Sequence, residues 1–228
     1  MKNSNSDRQR VFLVGSARSG TTLLQSILAS QPKITSFPET HFFRGTIPKI
    51  SFLRWIKFYG ENDTRDLAKH TGRILKDELG PNVAVFDMDG FDTHAGQLYN
   101  NNKNLEEFDN LLITLEGNLG DAWKNTLIVT LTEFGRTVRQ NGGQGTDHGI
   151  GTAILMAGGL IKKGQVYTDW PGLKKKQLYE GRDLAVTTDA RAVYNSAMSA
   201  VFDYDVKKMA NSVYETQLPD LTDTLFSV

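Results

Sequence analysis

The sequence contains no cysteine, which excludes disulfide staples and thiolate metal sites alike. It has no excess of charge: lysine plus arginine and aspartate plus glutamate each number 26. Nothing in that balance calls for nucleic acid or a membrane surface as a partner. Long apolar runs are also missing. After a polar, charged start, the run at residues 11–14 is far too short for a signal-peptide core or a membrane span. On this ground the expectation is a cytoplasmic protein. Internal repeats and low-complexity tracts are lacking too. What remains is a chain of 228 residues with ordinary globular composition. That is long enough to bury a core without staples, as one large domain or two small ones.

Residues 11–14, closed by Gly15, read as a buried strand. A small-residue loop over 15–20 follows. Leu23, Leu24, Ile27 and Leu28 then fall on one face of a helix over 21–30, which Gln31-Pro32 stops. Residues 34–37 read as a second short strand. Between 42 and 60, Phe42, Phe43, Phe52, Trp55, Phe58 and Tyr59 mix with Arg44, Lys49, Arg54 and Lys57. This stretch reads as a core-packing helix with solvated basic ends, the alternative being a nucleic-acid contact. The polar stretch 60–64 is the best boundary and divides the chain into 1–62 and 63–228. Beyond it the pattern predicts a helix over 67–79 ending at Gly80-Pro81 and a strand over 83–88. Leu105, Phe108, Leu111, Leu112, Leu115 and Leu119 mark a long amphipathic helix. Strands over 126–131 and 153–157 and a helix over 189–202 follow, and the tail from 218 reads as poorly ordered. Strands alternating with helices predict an α/β fold with a largely parallel central sheet flanked by helices.

The loop Gly15-Ser16-Ala17-Arg18-Ser19-Gly20-Thr21-Thr22 keeps the G-x-x-x-x-G spacing of a phosphate-binding loop between strand and helix. Glycines let several N–H groups turn inward, and the helix N-terminus adds partial positive charge. Thr21 stands where a P-loop carries lysine. Arg18 supplies the cation instead, with a planar fork suited to phosphate or sulfate oxygens. The alternative is a tight turn that only joins strand to helix.

The segments VFLVGSARSGTTLLQSIL and FPETHFF make residues 10–58 resemble the N-terminus of sulfotransferases that use the cofactor PAPS (3'-phosphoadenosine 5'-phosphosulfate). The resemblance implies a PAPS site with Arg18, Ser19, Gly20, Thr21 and Thr22 on the 5'-phosphosulfate. Glu39 falls where tyrosylprotein-type relatives carry their general base, a role that needs a carboxylate tuned upward. The arginine and serine that hold the 3'-phosphate in that family have no placed counterpart.

The C-terminal part carries chemistry of its own. Asp92 and His94 follow a predicted strand and a glycine. Glu133 ends the strand from Thr126, and Asp147 and His148 sit in a glycine-rich loop over 142–151. Carboxylates and histidines at strand ends converge at one edge of a parallel sheet. Their oxygen and imidazole donors suit Zn²⁺, Mn²⁺ or Mg²⁺. A one- or two-metal site of this kind polarises a phosphate or sulfate ester and activates water, and Arg136 is placed to bind the ester oxygens. The alternatives are local: Asp92 and His94 closing a turn, Glu133 pairing with Arg136, and Asp147 capping the segment after it.

Four ordered stretches, DMDGFDTHAGQ, TLIVTLTEFGRTVRQNGGQGTDHGIGTAILMAGG, GQVYTDWPGL and LYEGRDLAVTTDARAVY, make residues 66–215 resemble one bacterial family. It is the C-terminal part of a family of unknown function in the alkaline phosphatase and sulfatase superfamily, whose members usually carry a twin-arginine export signal. The nucleophile and several metal ligands of that superfamily lie in an N-terminal half that this chain replaces. The chain therefore reads as a chimera of two family fragments. Three functions follow as expectations: a hydrolase-like protein acting on small anionic phosphate or sulfate esters, a PAPS-dependent sulfotransferase-like transferase, or a non-enzymatic anion-binding protein.

Overall fold

The computed structural model describes residues 10–15, 64–77 and 80–228. The loop residues Arg18, Ser19, Gly20, Thr21 and Thr22 lie outside them, as do Glu39, the helix expected over 21–30, the strand over 34–37 and the aromatic stretch 42–60.

The central layer is built on three parallel strands. β1 (Arg10–Gly15) lies between β2 (Val83–Asp87) and β3 (Thr126–Leu131). Leu13 is in register with Val85 on one side and with Val129 on the other. The short β6 (Met156–Ala157) pairs antiparallel with the outer side of β3. The sequence of β3, TLIVTL, is a β-branched and leucine run in which Leu127, Ile128 and Val129 are fully buried. Thr126 on the Ile128 face is fully buried too, its hydroxyl donating to the Ala122 carbonyl, as a strand covered on both sides requires.

Alternation along β3 sends its side chains into two cores. Ile128 joins Leu75, Leu111, Leu115 and Leu119 on one face. These come from α1 (Thr64–Lys76) and α2 (Gln97–Leu119), which pack against each other. Leu127, Val129 and Leu131 join Val193, Ala197 and Val201 on the other face. That face is covered by α3 (Ala190–Phe202), with α4 (Val206–Tyr214) and α5 (Thr222–Leu225) beyond it. α1 starts with Asp66 in its first turn and ends with Arg73 and Lys76 in its last, charges that complement the helix dipole.

Among the described residues the sheet is small, with three strands parallel and one antiparallel. Two sequence expectations are corrected here. The strand expected over 153–157 contracts to its last two residues. The Thr130 hydroxyl accepts the Leu155 N–H at 2.8 Å, so a side chain takes a place that a ladder bond would fill. The tail from 218 is ordered by burial, with Leu221, Leu225 and Phe226 all in the core. Its backbone is tied as well: Ser227 N–H donates to the Leu160 carbonyl and Lys162 N–H to that of Leu225, each at 2.9 Å. Among the described residues no helix is long and apolar enough to cross a membrane.

Candidate functional site

The three parallel strands end together. Gly15 is in register with Asp87 of β2 and with Leu131 of β3. The chain therefore leaves β1, β2 and β3 at one edge of the sheet. The loop after β2 carries Asp92 and His94. The loop after β3 carries Glu133, Arg136, Asp147 and His148, and folds back on itself through the two-residue strands β4 (Gly135–Arg136) and β5 (His148–Gly149).

These two loops are stapled backbone to backbone. Gly96 and Gln97 N–H groups donate to the Gly143 and Gln144 carbonyls at 3.0 and 2.9 Å, and Thr146 N–H donates to Thr93 at 3.2 Å. Gly145 permits the approach, since a Cβ there would sit 2.2 Å from the His94 carbonyl carbon, and Gly135 lets the second loop close on itself, since a Cβ there would sit 1.8 Å from the Gly151 oxygen. Asn141 organises the turn: its side-chain oxygen accepts the Gly143 and Gly145 N–H groups, and its amide donates to the His94 carbonyl and to Asp147.

At the centre, three donors converge on one carboxylate oxygen. His94 Nε2 lies 3.1 Å, His148 Nε2 2.9 Å and Arg136 Nη2 2.6 Å from Asp92 Oδ1. The His148 hydrogen bond, then those from Arg136 and the charge of His94, hold the Asp92 carboxyl below its usual range against a desolvation cost. Asp147 is lowered likewise, first by the Asn141 hydrogen bond and then by His94. Its Oδ1 lies 3.6 Å from His94 Nδ1, an electrostatic contact too long for a hydrogen bond. Both imidazoles and the Asp92 carboxylate are half-exposed. His148 stacks on Phe134, with ring centroids 4.2 Å apart and planes 6° from parallel, and the Arg136 guanidinium lies over the Phe134 ring, 4.8 Å from its centroid.

One nitrogen or oxygen from each of Asp92, His94 and His148 lies within 4.8 Å of the others, close enough to hold a metal ion. Two imidazole nitrogens and a carboxylate oxygen suit Zn²⁺ or Mn²⁺, and three protein ligands leave coordination positions open. Of the other residues singled out in the sequence, Asp147 borders His94 and Glu133 is exposed outside the trio. Arg136 is committed by contacts on several sides. Besides Asp92 it donates to the Phe91 carbonyl at 2.8 Å and to the Thr146 carbonyl at 3.0 Å. Sequence reasoning passed over Phe134 and Asn141. The Asn141-Gly142-Gly143 turn signature could have found the second.

The fold and the site together define an α/β scaffold with a histidine–carboxylate cluster at the carboxyl edge of its parallel strands. A family model described as Protein of unknown function (DUF1501) matches residues 59–207, more than half of the chain, and the chain belongs to that family. A model described as Sulfotransferase family matches residues 10–106. That match runs well beyond residue 58 and takes in β2, Asp92 and His94. The two matches overlap over 59–106, a stretch that contains the boundary read near residue 62. No curated protein and no solved structure matches the chain.

Proposed function

We propose that the chain performs metal-dependent chemistry on small phosphate or sulfate esters at the Asp92–His94–His148 cluster. The observation that carries this reading is the convergence of those three donors within 4.8 Å at one sheet edge. The resemblance of the C-terminal motifs to the alkaline phosphatase and sulfatase superfamily supports the same reading. A divalent cation held there supplies Lewis-acid polarisation of an ester oxygen.

The chain's own residues do the positioning. Asp147, beside His94 Nδ1, favours the tautomer protonated at Nδ1, which leaves the Nε2 lone pair free for a cation. Phe134 fixes the plane of His148 by stacking. Arg136 holds Asp92 in place and sets a fixed positive charge beside the cluster, which draws an anionic substrate.

Thermal melts with zinc and with manganese test the site. A cation at a hundred times its Kd adds about 2.7 kcal/mol, a shift of roughly 5–10 °C for a chain of this size. His148→Ala and Asp92→Ala each abolish that shift and the hydrolysis of generic aryl esters. An unchanged shift in both variants ends the metal reading. A lost shift without turnover in the unaltered chain leaves anion binding as the function.

A second reading is favoured by the sulfotransferase-family match over residues 10–106. Here Arg18, Ser19, Gly20, Thr21 and Thr22 bind PAPS and Glu39 serves as base. The loop that carries them starts from Gly15, at the same edge as the cluster. Adenosine 3',5'-bisphosphate then stabilises the unaltered chain, and Arg18→Ala removes the effect. A melt unmoved by millimolar nucleotide eliminates this reading.

A further inference from the structure

α2 carries large apolar side chains on its solvent side as well as on its core side. Phe108, Leu111, Leu115 and Leu119 fill the core. At about 100° per residue, Leu98, Tyr99, Leu105 and Ile113 fall together on a different stripe, roughly 120° wide. They are 77, 76, 48 and 61 % exposed. A surface helix packed by one face is polar on the other, and an apolar stripe left in solvent marks a contact face. Glu106, Asp109 and Glu116 share the stripe, and no lysine or arginine does. Among the described residues none of these three acids has an ion pair, whereas Glu107, off the stripe, is matched by Lys103 at 3.8 Å.

A cover for this stripe has to be apolar and basic. Residues 42–60 are both: Phe52, Trp55 and Phe58 stand there among four bases and no acid. The tether also fits. Arg65, the second residue of α1, donates to the Asn110 side-chain oxygen at 2.7 Å. Asn110 follows Glu106 by one turn, its amide donating to the Glu106 carbonyl at 2.9 Å, so α1 begins at the border of the stripe. Leu105 and Ile113 lie within about 8 Å of Asn110 along the helix axis. The five residues from Gly60 to Arg65 span up to about 17 Å, so the segment before Gly60 reaches the stripe.

We infer that the exposed stripe of α2 is the docking surface for residues 42–60 of the same chain, apolar side chains against Leu98, Leu105 and Ile113 and basic ones against Glu106, Asp109 and Glu116. This surface is independent of the ester chemistry proposed above. It gives the basic aromatic stretch an internal partner in place of nucleic acid, and it ties a segment from before the boundary near residue 62 to a helix that follows it.

Carbodiimide coupling of the unaltered full chain, which joins lysine amines to carboxylates in contact, tests this by peptide mass mapping. Lys49 or Lys57 is expected to couple to Glu106, Asp109 or Glu116. An equal mixture of chains labelled with light and heavy nitrogen separates the sources. Same-label pairs mean docking within one chain; mixed-label pairs put a second copy on the stripe and overturn the inference. Chymotrypsin gives the second reading, since cleavage after Trp55 and Phe58 follows the open population of the segment. The double variant Leu98→Asp/Leu105→Asp is expected to speed that cleavage by about tenfold, and Glu106→Lys/Asp109→Lys by roughly threefold. Adding Arg54→Glu/Lys57→Glu to the lysine variant restores the slower cleavage. The four α2 positions are exposed, so each α2 variant keeps a cooperative melt. Coupling of residues 42–60 only to carboxylates off the stripe, or cleavage indifferent to the aspartate variant, overturns the inference. So does a single-stranded oligonucleotide that slows cleavage equally in the unaltered and aspartate chains, which hands the stretch to nucleic acid.

Discussion

Asp189 lies in extended conformation ahead of α3, and its carboxylate accepts the Arg191 backbone N–H at 2.9 Å. The Arg191 guanidinium closes on the same carboxylate at 2.6 Å. The hydrogen bond from Arg191 holds the Asp189 carboxyl below its usual range. The pair is half open to solvent, so the ion pair itself contributes little, and the cap carries most of the effect. Asp189→Ala is expected to cost about 1 kcal/mol, read as a melting temperature lower by roughly 2–4 °C. A group whose pKa is depressed by folding stabilises above its unfolded value and loses that contribution as pH falls through the folded one. The gap between variant and unaltered chain is therefore full at pH 7 and closes below about pH 3.9. A gap of unchanged size from pH 5 down to pH 2.5 would show that Asp189 acts through packing. At this scale the sequence was a fair guide to chemistry and a poor guide to partners. Asp92, His94 and His148 stand out as histidines and an acid beside glycines. Arg136 reads as a free anion ligand until Asp92, forty-four positions away, occupies it. Partners brought together only by two loops folding over one edge leave no trace in local spacing.

The element most at odds with its sequence is the C-terminal tail. Leu221 and Leu225 stand four apart, a helical spacing, but α5 is a single turn and too short to stand out by periodicity. Its order comes from burial: Phe226 is 2 % exposed in the core shared with Leu127 and Val129. The Leu221 N–H also donates to the buried Ser196 hydroxyl at 2.8 Å. Phe226→Ala should then cost about 3–5 kcal/mol, a fall in melting temperature on the order of 10 °C. A fall within 2 °C would return the tail to the poorly ordered end its sequence suggests. β3, by contrast, is legible to the residue, since an apolar β-branched run between polar flanks has no other stable use. α4 and the β4–β5 ribbon were invisible beforehand. The first is short, and the second depends on glycines that let two backbones touch.

For the molecule as a whole, the decisive feature is the position of β1. The sequence divides near residue 62, and two independent units would each hold their own sheet. β1 instead fills the place between β2 and β3, both of which follow that boundary. Neighbouring strands lie about 4.8 Å apart, so without β1 a slot of roughly 9.6 Å separates β2 from β3. Their inner N–H and C=O groups then face each other too far apart to bond, and buried unpaired backbone groups are costly. A strand paired on both sides also uses every N–H it has. Leu13→Pro removes one of these and is tolerated in a sheet only at edges or bulges. Both a 63–228 fragment and the full-length Leu13→Pro variant are therefore expected to lose the cooperative transition in far-ultraviolet circular dichroism. The two changes attack the same slot by different means, one by emptying it and one by breaking its ladder. A fragment that melts as sharply and as high as the full chain would mean that β2 and β3 close without β1 and that residues 63–228 fold as a unit. A fragment that loses its transition, matched by the proline variant, would mean that the sulfotransferase-like strand is a structural member of the sheet presenting the Asp92–His94–His148 cluster.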